Sequence, residues 1–319
     1  LLSKAYYEFS VNRLALSHQL AWEAERIANT TDDMPLRVQA TITSGHSYSE
    51  EGNLPAALKK LQEAVALARA YGKPVQLVMS LNALANQYGQ LKEFDKGFET
   101  LAEAYTAAAS INSPGRMAKL KNAEYGLAVE TGQFDRGLKA LLEALALERS
   151  IGAESMIVGS LVDLSDSYLK KGDYARTRSY ALQAIEAARK LHDSGSEATA
   201  RVNLGQAYLG RGKLAEGKRE FEAGLAVYEQ SGDKPELQMV LSEYGEALER
   251  AGDLAGAVRA YHRERAISNE LFEKRRQKAL LELQEKYETE NKQRQIELLR
   301  REIPVKSTEI DNRRLQQRV

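Results

Sequence analysis

Val202-Asn203-Leu204-Gly205-Gln206-Ala207-Tyr208-Leu209-Gly210-Arg211-Gly212-Lys213-Leu214 is the stretch on which the fold turns. Leu204 and Tyr208 before Gly212, and Leu214, Phe221, Leu225 and Tyr228 after it, stand at helical spacing, so the stretch reads as helix, tight turn, helix. Gly212 supplies the left-handed backbone conformation that ends the first helix. Stepping outward by forty residues from this glycine meets Gly52, Lys92, Gly132, Gly172 and Gly252. Two positions on, the same stride gives the bulky column Leu54, Phe94, Phe134, Tyr174, Leu214 and Leu254. Five positions on comes the small column Ala57, Gly97, Gly137, Thr177, Gly217 and Ala257, and twelve on Ala64, Ala104, Ala144, Ala184 and Gly224, with Glu264 breaking the pattern. The register needs no gap, which is the signature of stacked repeats.

Breaker clusters separate the units: Thr31 to Pro35, Gly72-Lys73-Pro74, Asn112-Ser113-Pro114, Asp193 to Ser196 and Gly232 to Pro235. Residues 1–30 fit as an earlier unit with Asn12 at its turn. About seven 40-residue helix-turn-helix units, some fourteen helices, account for residues 1–262. The small columns let the second helix of each unit lie close to the first, and the bulky column is expected to fill the gap to the next unit. No unit buries its apolar face alone. The fold class expected is therefore all-α, a right-handed α-α superhelix with one concave face.

The chain has 319 residues, room for about two domains. Its 43% hydrophobic and 28% charged residues exclude a disordered or collagenous chain. With 45 basic against 45 acidic residues and no long basic run, it shows no electrostatic footprint for nucleic acid. No cysteine is present, which removes disulfides, thiolate catalysis and cysteine-based zinc sites. Neither a signal segment nor an apolar run long enough for a membrane span is visible.

Residues 202–214, with Leu-Gly, Tyr, Gly, a bulky, a small, and then Phe221, resemble a tetratricopeptide repeat. The resemblance covers about four-fifths of the chain and implies a solenoid that binds peptides or proteins in its groove. The commonest form of that repeat has a period of 34, so a stride of 40 calls for longer helices or longer loops between units. Tyr125, where a small residue is expected, is the main local departure.

All 22 glycines lie in residues 1–262, and residues 263–319 carry 15 basic and 11 acidic side chains. This marks a second segment, 263–319, an extended helical connector. The second helix of the last unit is expected to run from Leu254 to about Ile303, with a kink or an end at Pro304. Two short apolar seams, Leu280-Leu283-Tyr287 and Ile296-Leu299-Ile303-Ile310, approach heptad spacing and point to a homodimer; a solvated single helix steadied by Glu282–Lys286 and Glu288–Lys292 pairs is the alternative. The stretches Leu283 to Glu290 and Gln295 to Glu302 resemble the connector of bacterial membrane receptors whose extracytoplasmic repeat array leads through a membrane span to a GGDEF diguanylate cyclase or histidine kinase. That resemblance implies a periplasmic sensor region that meets the membrane only through a downstream segment. Arg313, Arg314 and Arg318 sit poorly with that location under the positive-inside rule, and a soluble, cytoplasmic scaffold is the rival.

No phosphate loop, zinc-protease motif or nucleophile elbow is found, and no catalytic residue, metal site or cofactor is expected. His18, His46, His192 and His262 fall in different units. Placing the repeat family's groove positions on this sequence puts Asn82 and Asn122 in one column and His46, Asn86, Asp166, Gln206 and Glu246 in another, with Asn203 beside the first. Asparagine donates to and accepts from an extended backbone at once, so such a column holds a peptide without reading its side chains. The family's basic clamp for acidic chaperone tails is missing: only Lys119 is basic, and Ile42, Val162 and Val202 fill other clamp positions.

Overall fold

The computed structural model describes residues 1–10 and 13–316, with side-chain surroundings through residue 300 except at 10 and 14; the turn placed at Asn12 and the side chains of the seam residues Ile303 and Ile310 lie outside what is described. Fourteen helices are present among the described residues. They are α1 (Leu2–Ser10), α2 (Leu14–Ala28), α3 (Met34–Glu50), α4 (Leu54–Tyr71), α5 (Pro74–Gln90), α6 (Phe94–Ser110) and α7 (Pro114–Glu130). After these come α8 (Phe134–Ser150), α9 (Glu154–Lys170), α10 (Tyr174–Lys190), α11 (Ser194–Gly210), α12 (Leu214–Ser231), α13 (Lys234–Arg250) and α14 (Leu254–Gln316). The chain forms two compact units, Leu1–Val227 and Tyr228–Val319.

From Met34 to Leu254 every helix starts 20 residues after the last. The 40-residue stride is thus two equal halves, and the long period comes from helices of 17 or 18 residues, not from long loops. Each turn has the same build. A left-handed residue recurs at 52, 72, 92, 112, 132, 152, 172, 192, 212, 232 and 252, eight times glycine and otherwise Lys92, Asn112 and His192. The next residue's N–H commonly reaches back five residues, as Asn53 to the Tyr48 carbonyl (2.9 Å) and Asp173 to that of Tyr168 (2.9 Å), which closes the preceding helix. That same residue then often caps the next helix: the carboxylates of Asp33, Asp173, Asp193 and Asp233 and the amide of Asn53 accept from the N–H three residues on.

Lys92 occupies its left-handed position at φ +61° although it carries a Cβ. Lys92→Gly is therefore expected to stabilise the array by about 1 kcal/mol. Its exposed ion pair with Glu130, at 2.8 Å, offsets only part of this, since exposed pairs are typically worth roughly a few tenths of a kcal/mol. Thermal unfolding of the variant decides the sign.

In the first unit, α3 packs on α4, α4 on α5, and so on through α11, and the first helices of successive hairpins also touch: α3 with α5, α5 with α7, α9 with α11. The second helices make no comparable contact among the described residues, so α3, α5, α7, α9 and α11 form the tighter, inner layer. The small columns lie at the hairpin interfaces, with Ala57, Ala64, Ala104, Ala144, Thr177 and Ala184 fully buried. Large side chains between them, including Leu61, Leu81, Leu141, Leu164, Leu204, Phe221 and Leu225, make up the core. The bulky column departs from expectation. As first residues of their helices, Phe134 and Leu254 are 52% and 63% exposed, although Tyr174 does pack where a Cβ on Gly210 would stand. Tyr125 is accommodated because Gly137 leaves room beside its ring, and its hydroxyl reaches Ser167 of the next hairpin at 3.0 Å.

In the second unit α13 lies along the first part of α14, held by Tyr261 against Gly245, by Gln238 donating to Glu264 (2.7 Å) and by a Lys234–Glu270 ion pair. Beyond Phe272 the helix stands clear, with Leu280, Leu283, Tyr287, Ile296 and Leu299 all exposed. It has 63 residues, about 95 Å at 1.5 Å per residue, and passes Pro304 where the sequence predicts a kink or an end. One lost hydrogen bond and a crowded turn, about 3 kcal/mol, do not end a helix with this many bonds on both sides.

Candidate functional site

The inner layer displays the columns read from the sequence. His46 and Asn86 are exposed, and Asp166 and Gln206 half-buried, all on first helices of the first unit. Glu246 is exposed on α13 of the second unit. Asn82 and Asn122 are half-buried on α5 and α7, and in each the amide oxygen is buried without a hydrogen-bond partner. Those two oxygens are acceptors aligned one hairpin apart. Asn203 differs: it is 5% exposed and its Nδ2 donates to Ser165 Oγ at 2.8 Å, a tie between neighbouring hairpins that takes it out of the displayed column.

Two groups on this face are shifted from their ordinary titration ranges. His46 is exposed, yet the surrounding protein pulls its pKa below the usual histidine value, with Glu50 opposing. Asp163, also exposed, has its carboxyl pushed up to about 6, first by desolvation and then by the Asp166 charge; Lys170 opposes this and Glu148 adds to it.

Two acids here were not picked out from the sequence. Glu148, on α8, is fully buried; its Oε1 accepts from Asn122 Nδ2 at 2.9 Å and its Oε2 has no partner. At the same place in other hairpins stand Ala28, Ala68, Ala108 and Ala188, with Tyr228 later in the chain. Asp163 shares its column with Thr43, Ala83, Ala123, Asn203 and Glu243. The signal was available for Glu148 alone: a carboxylate following three alanines breaks the repeat.

Among the described residues no group of three or more His, Asp or Glu is placed to hold a metal ion, and no helix is long and apolar enough to cross a membrane.

Three solved structures share the fold. BtubC from P. vanneervenii is 20% identical, with 69% of this chain and 92% of that one covered and a TM-score of 0.62. Aspartyl phosphate phosphatase F from Bacillus subtilis is 11% identical, covers 84% and 69%, and has a TM-score of 0.65. The Rap conjugation gene regulator of the plasmid pLS20, solved with the Phr* peptide, is 16% identical, covers 84% and 74%, and has a TM-score of 0.55. No curated protein matches the sequence. The family model described as tetratricopeptide repeat matches residues 156–230, and the solved structures share the fold over the greater part of the chain.

Proposed function

We propose that the first unit is a non-catalytic interaction module that holds an extended peptide or protein segment along the inner layer of first helices. The observation that carries this reading is the pair of unpartnered, buried amide oxygens of Asn82 and Asn122, set at equivalent places one hairpin apart. A buried acceptor without a donor costs about 1–3 kcal/mol, which a peptide N–H recovers on binding. The likeness to a regulator solved with a peptide supports it. Asn82→Ala with Asn122→Ala is expected to weaken capture of segments selected from a random peptide library by about tenfold or more while moving the melting temperature little. Equal capture by the double variant removes the reading.

On this proposal α14 relays occupancy. Its exposed Leu280, Leu283, Tyr287, Ile296 and Leu299 pair with a second copy, and the dimer hands a change of spacing or rotation to an output domain of diguanylate cyclase or histidine kinase type across a membrane, the array being extracytoplasmic. Sedimentation is expected to show a concentration-dependent dimer that a truncation at about residue 270 weakens; a monomer unchanged at high concentration ends this part of the proposal. The second reading, a cytoplasmic adaptor dimerised by the same helix, is favoured by Arg313, Arg314 and Arg318. An apolar stretch of about 20 residues following Val319 in the gene separates the two.

A further inference from the structure

Glu148 is an anomaly within its own repeat. Four other hairpins place alanine there, and burying a carboxylate costs several kcal/mol unless a cation or several donors compensate. The structure supplies one donor, Asn122, and leaves Oε2 without a partner. The cations nearby in sequence are engaged. Lys170 pairs with Asp166 at 2.7 Å, Lys121 on α7 with Glu124 and Glu143 at 3.0 and 2.8 Å, and Arg149 donates to Gln183 at 2.9 Å. Asp163 adds a further carboxylate on α9, close enough to Glu148 and Asp166 for the charges of both to disfavour its ionisation. The Tyr125 ring on α7 completes the corner, its hydroxyl bonded to Ser167 and its ionisation opposed by burial and by Asp163 and Asp166. Asp166 thus pairs with Lys170, while Glu148 Oε2 and the Asn122 oxygen are left without a partner.

We propose that this corner, Glu148, Asp163 and Asp166 with Asn122 and Tyr125, is a specificity subsite that seats one cationic group of the bound segment. The inference rests on the peptide reading for the segment that carries the cation. An arginine side chain fits it best: the planar guanidinium offers donors to two carboxylates and to the Asn122 oxygen at once, and its flat face suits the tyrosine ring. A free α-ammonium shares the charge and the donors but not the plane.

The test titrates the full chain with acetyl-Ala-Arg-Ala-amide, with its citrulline counterpart of the same shape and no charge, and with Ala-Ala-Ala-amide bearing a free amino terminus. The readout is the carboxyl-carbon signals of Asp and Glu in isotope-labelled protein. The arginine peptide is expected to move the Glu148 and Asp163 signals saturably in the millimolar range, roughly. It should also lower the pH at which Asp163 titrates, since a bound cation favours the ionised acid. The citrulline peptide should do neither, and Asp163→Asn, which keeps the side chain's shape, should weaken the arginine peptide about tenfold. A response to Ala-Ala-Ala-amide alone keeps the subsite and names the terminal ammonium as its occupant. No response to either cation, or equal responses to arginine and citrulline, overturns it. The two readings fail separately: library peptides that bind but ignore Asp163→Asn sink the subsite and spare the groove. A library without binders sinks the groove, and the tripeptide titration still decides the subsite.

Discussion

Gly205→Ala should lower the melting temperature of the array by about 5–10 °C, a loss of about 2–3 kcal/mol in the first unit. A Cβ built at Gly205 stands 2.8 Å from Phe221 Cδ2 and 3.0 Å from both the Gly217 carbonyl oxygen and the Phe221 nitrogen. Two of those three atoms are backbone, so no rotamer change relieves the crowding. The contact is mutual, because a Cβ on Gly217 would lie 3.0 Å from the Gly205 carbonyl and closer still to Leu209. Helix propensity works the other way, since alanine gains roughly 0.5–1 kcal/mol over glycine inside a helix, but the clash is larger. Gly126→Ala separates the two terms: nothing lies within 4 Å of its added Cβ, so propensity alone acts and the variant should be slightly more stable. If both variants moved in the same direction, close approach of α11 and α12 would not be what Gly205 provides. Because adjacent hairpins in such arrays unfold with partial independence, amide exchange over residues 194–227 should register the Gly205 change most strongly.

Glu148→Ala should do the opposite, raising the melting temperature by about 3–6 °C, or about 1–2 kcal/mol. The variant removes a fully buried carboxylate with one unpartnered oxygen and installs the residue found at Ala28, Ala68, Ala108 and Ala188, each buried to within 1%. Two terms oppose the gain: the space left by the longer side chain, and the loss of an acceptor for Asn122 Nδ2. The molecule already shows that both are tolerable. One hairpin earlier the equivalent pair is Asn82 with Ala108, and α5 and α6 keep the same lengths and turns there. A more stable variant that binds arginine-bearing segments poorly is the trade expected where a site keeps a charge in place at the expense of the fold. A drop in melting temperature would instead make Glu148 part of the packing.

How the site was read follows from what a repeat does to a sequence. Asn82, Asn122, His46, Asn86 and Asp166 were legible because a constant stride assigns each residue a place on a helix face. The same logic applied to Glu148 would have found it, since an acid in an alanine column is conspicuous once each column is read for exceptions as well as for its rule. Asn203 misled for a different reason. Its place one turn-edge from the Asn82 column says nothing of how close α9 and α11 come, and at that junction the helices approach until Asn203 bonds Ser165 and leaves the displayed surface. The turns between hairpins were half seen as well. Gly72, Gly152 and Gly232 stand at the same left-handed position as Gly52 and Gly132, but Asn112 and His192 hide the 20-residue rhythm from a search for glycine.

The order of the helices, their hairpin pairing and their stacking were determined by the sequence alone, because small and large residues at a fixed interval admit one way of burying a two-helix unit that has no core of its own. Tertiary structure alone decided which of the polar groups lack partners, that Glu148 is buried against Asn122, and that α14 continues past Pro304 to Gln316. Periodicity carries the direction of a side chain from its helix axis. Whether that side chain meets a partner depends on distances between helices, which only the packed molecule sets.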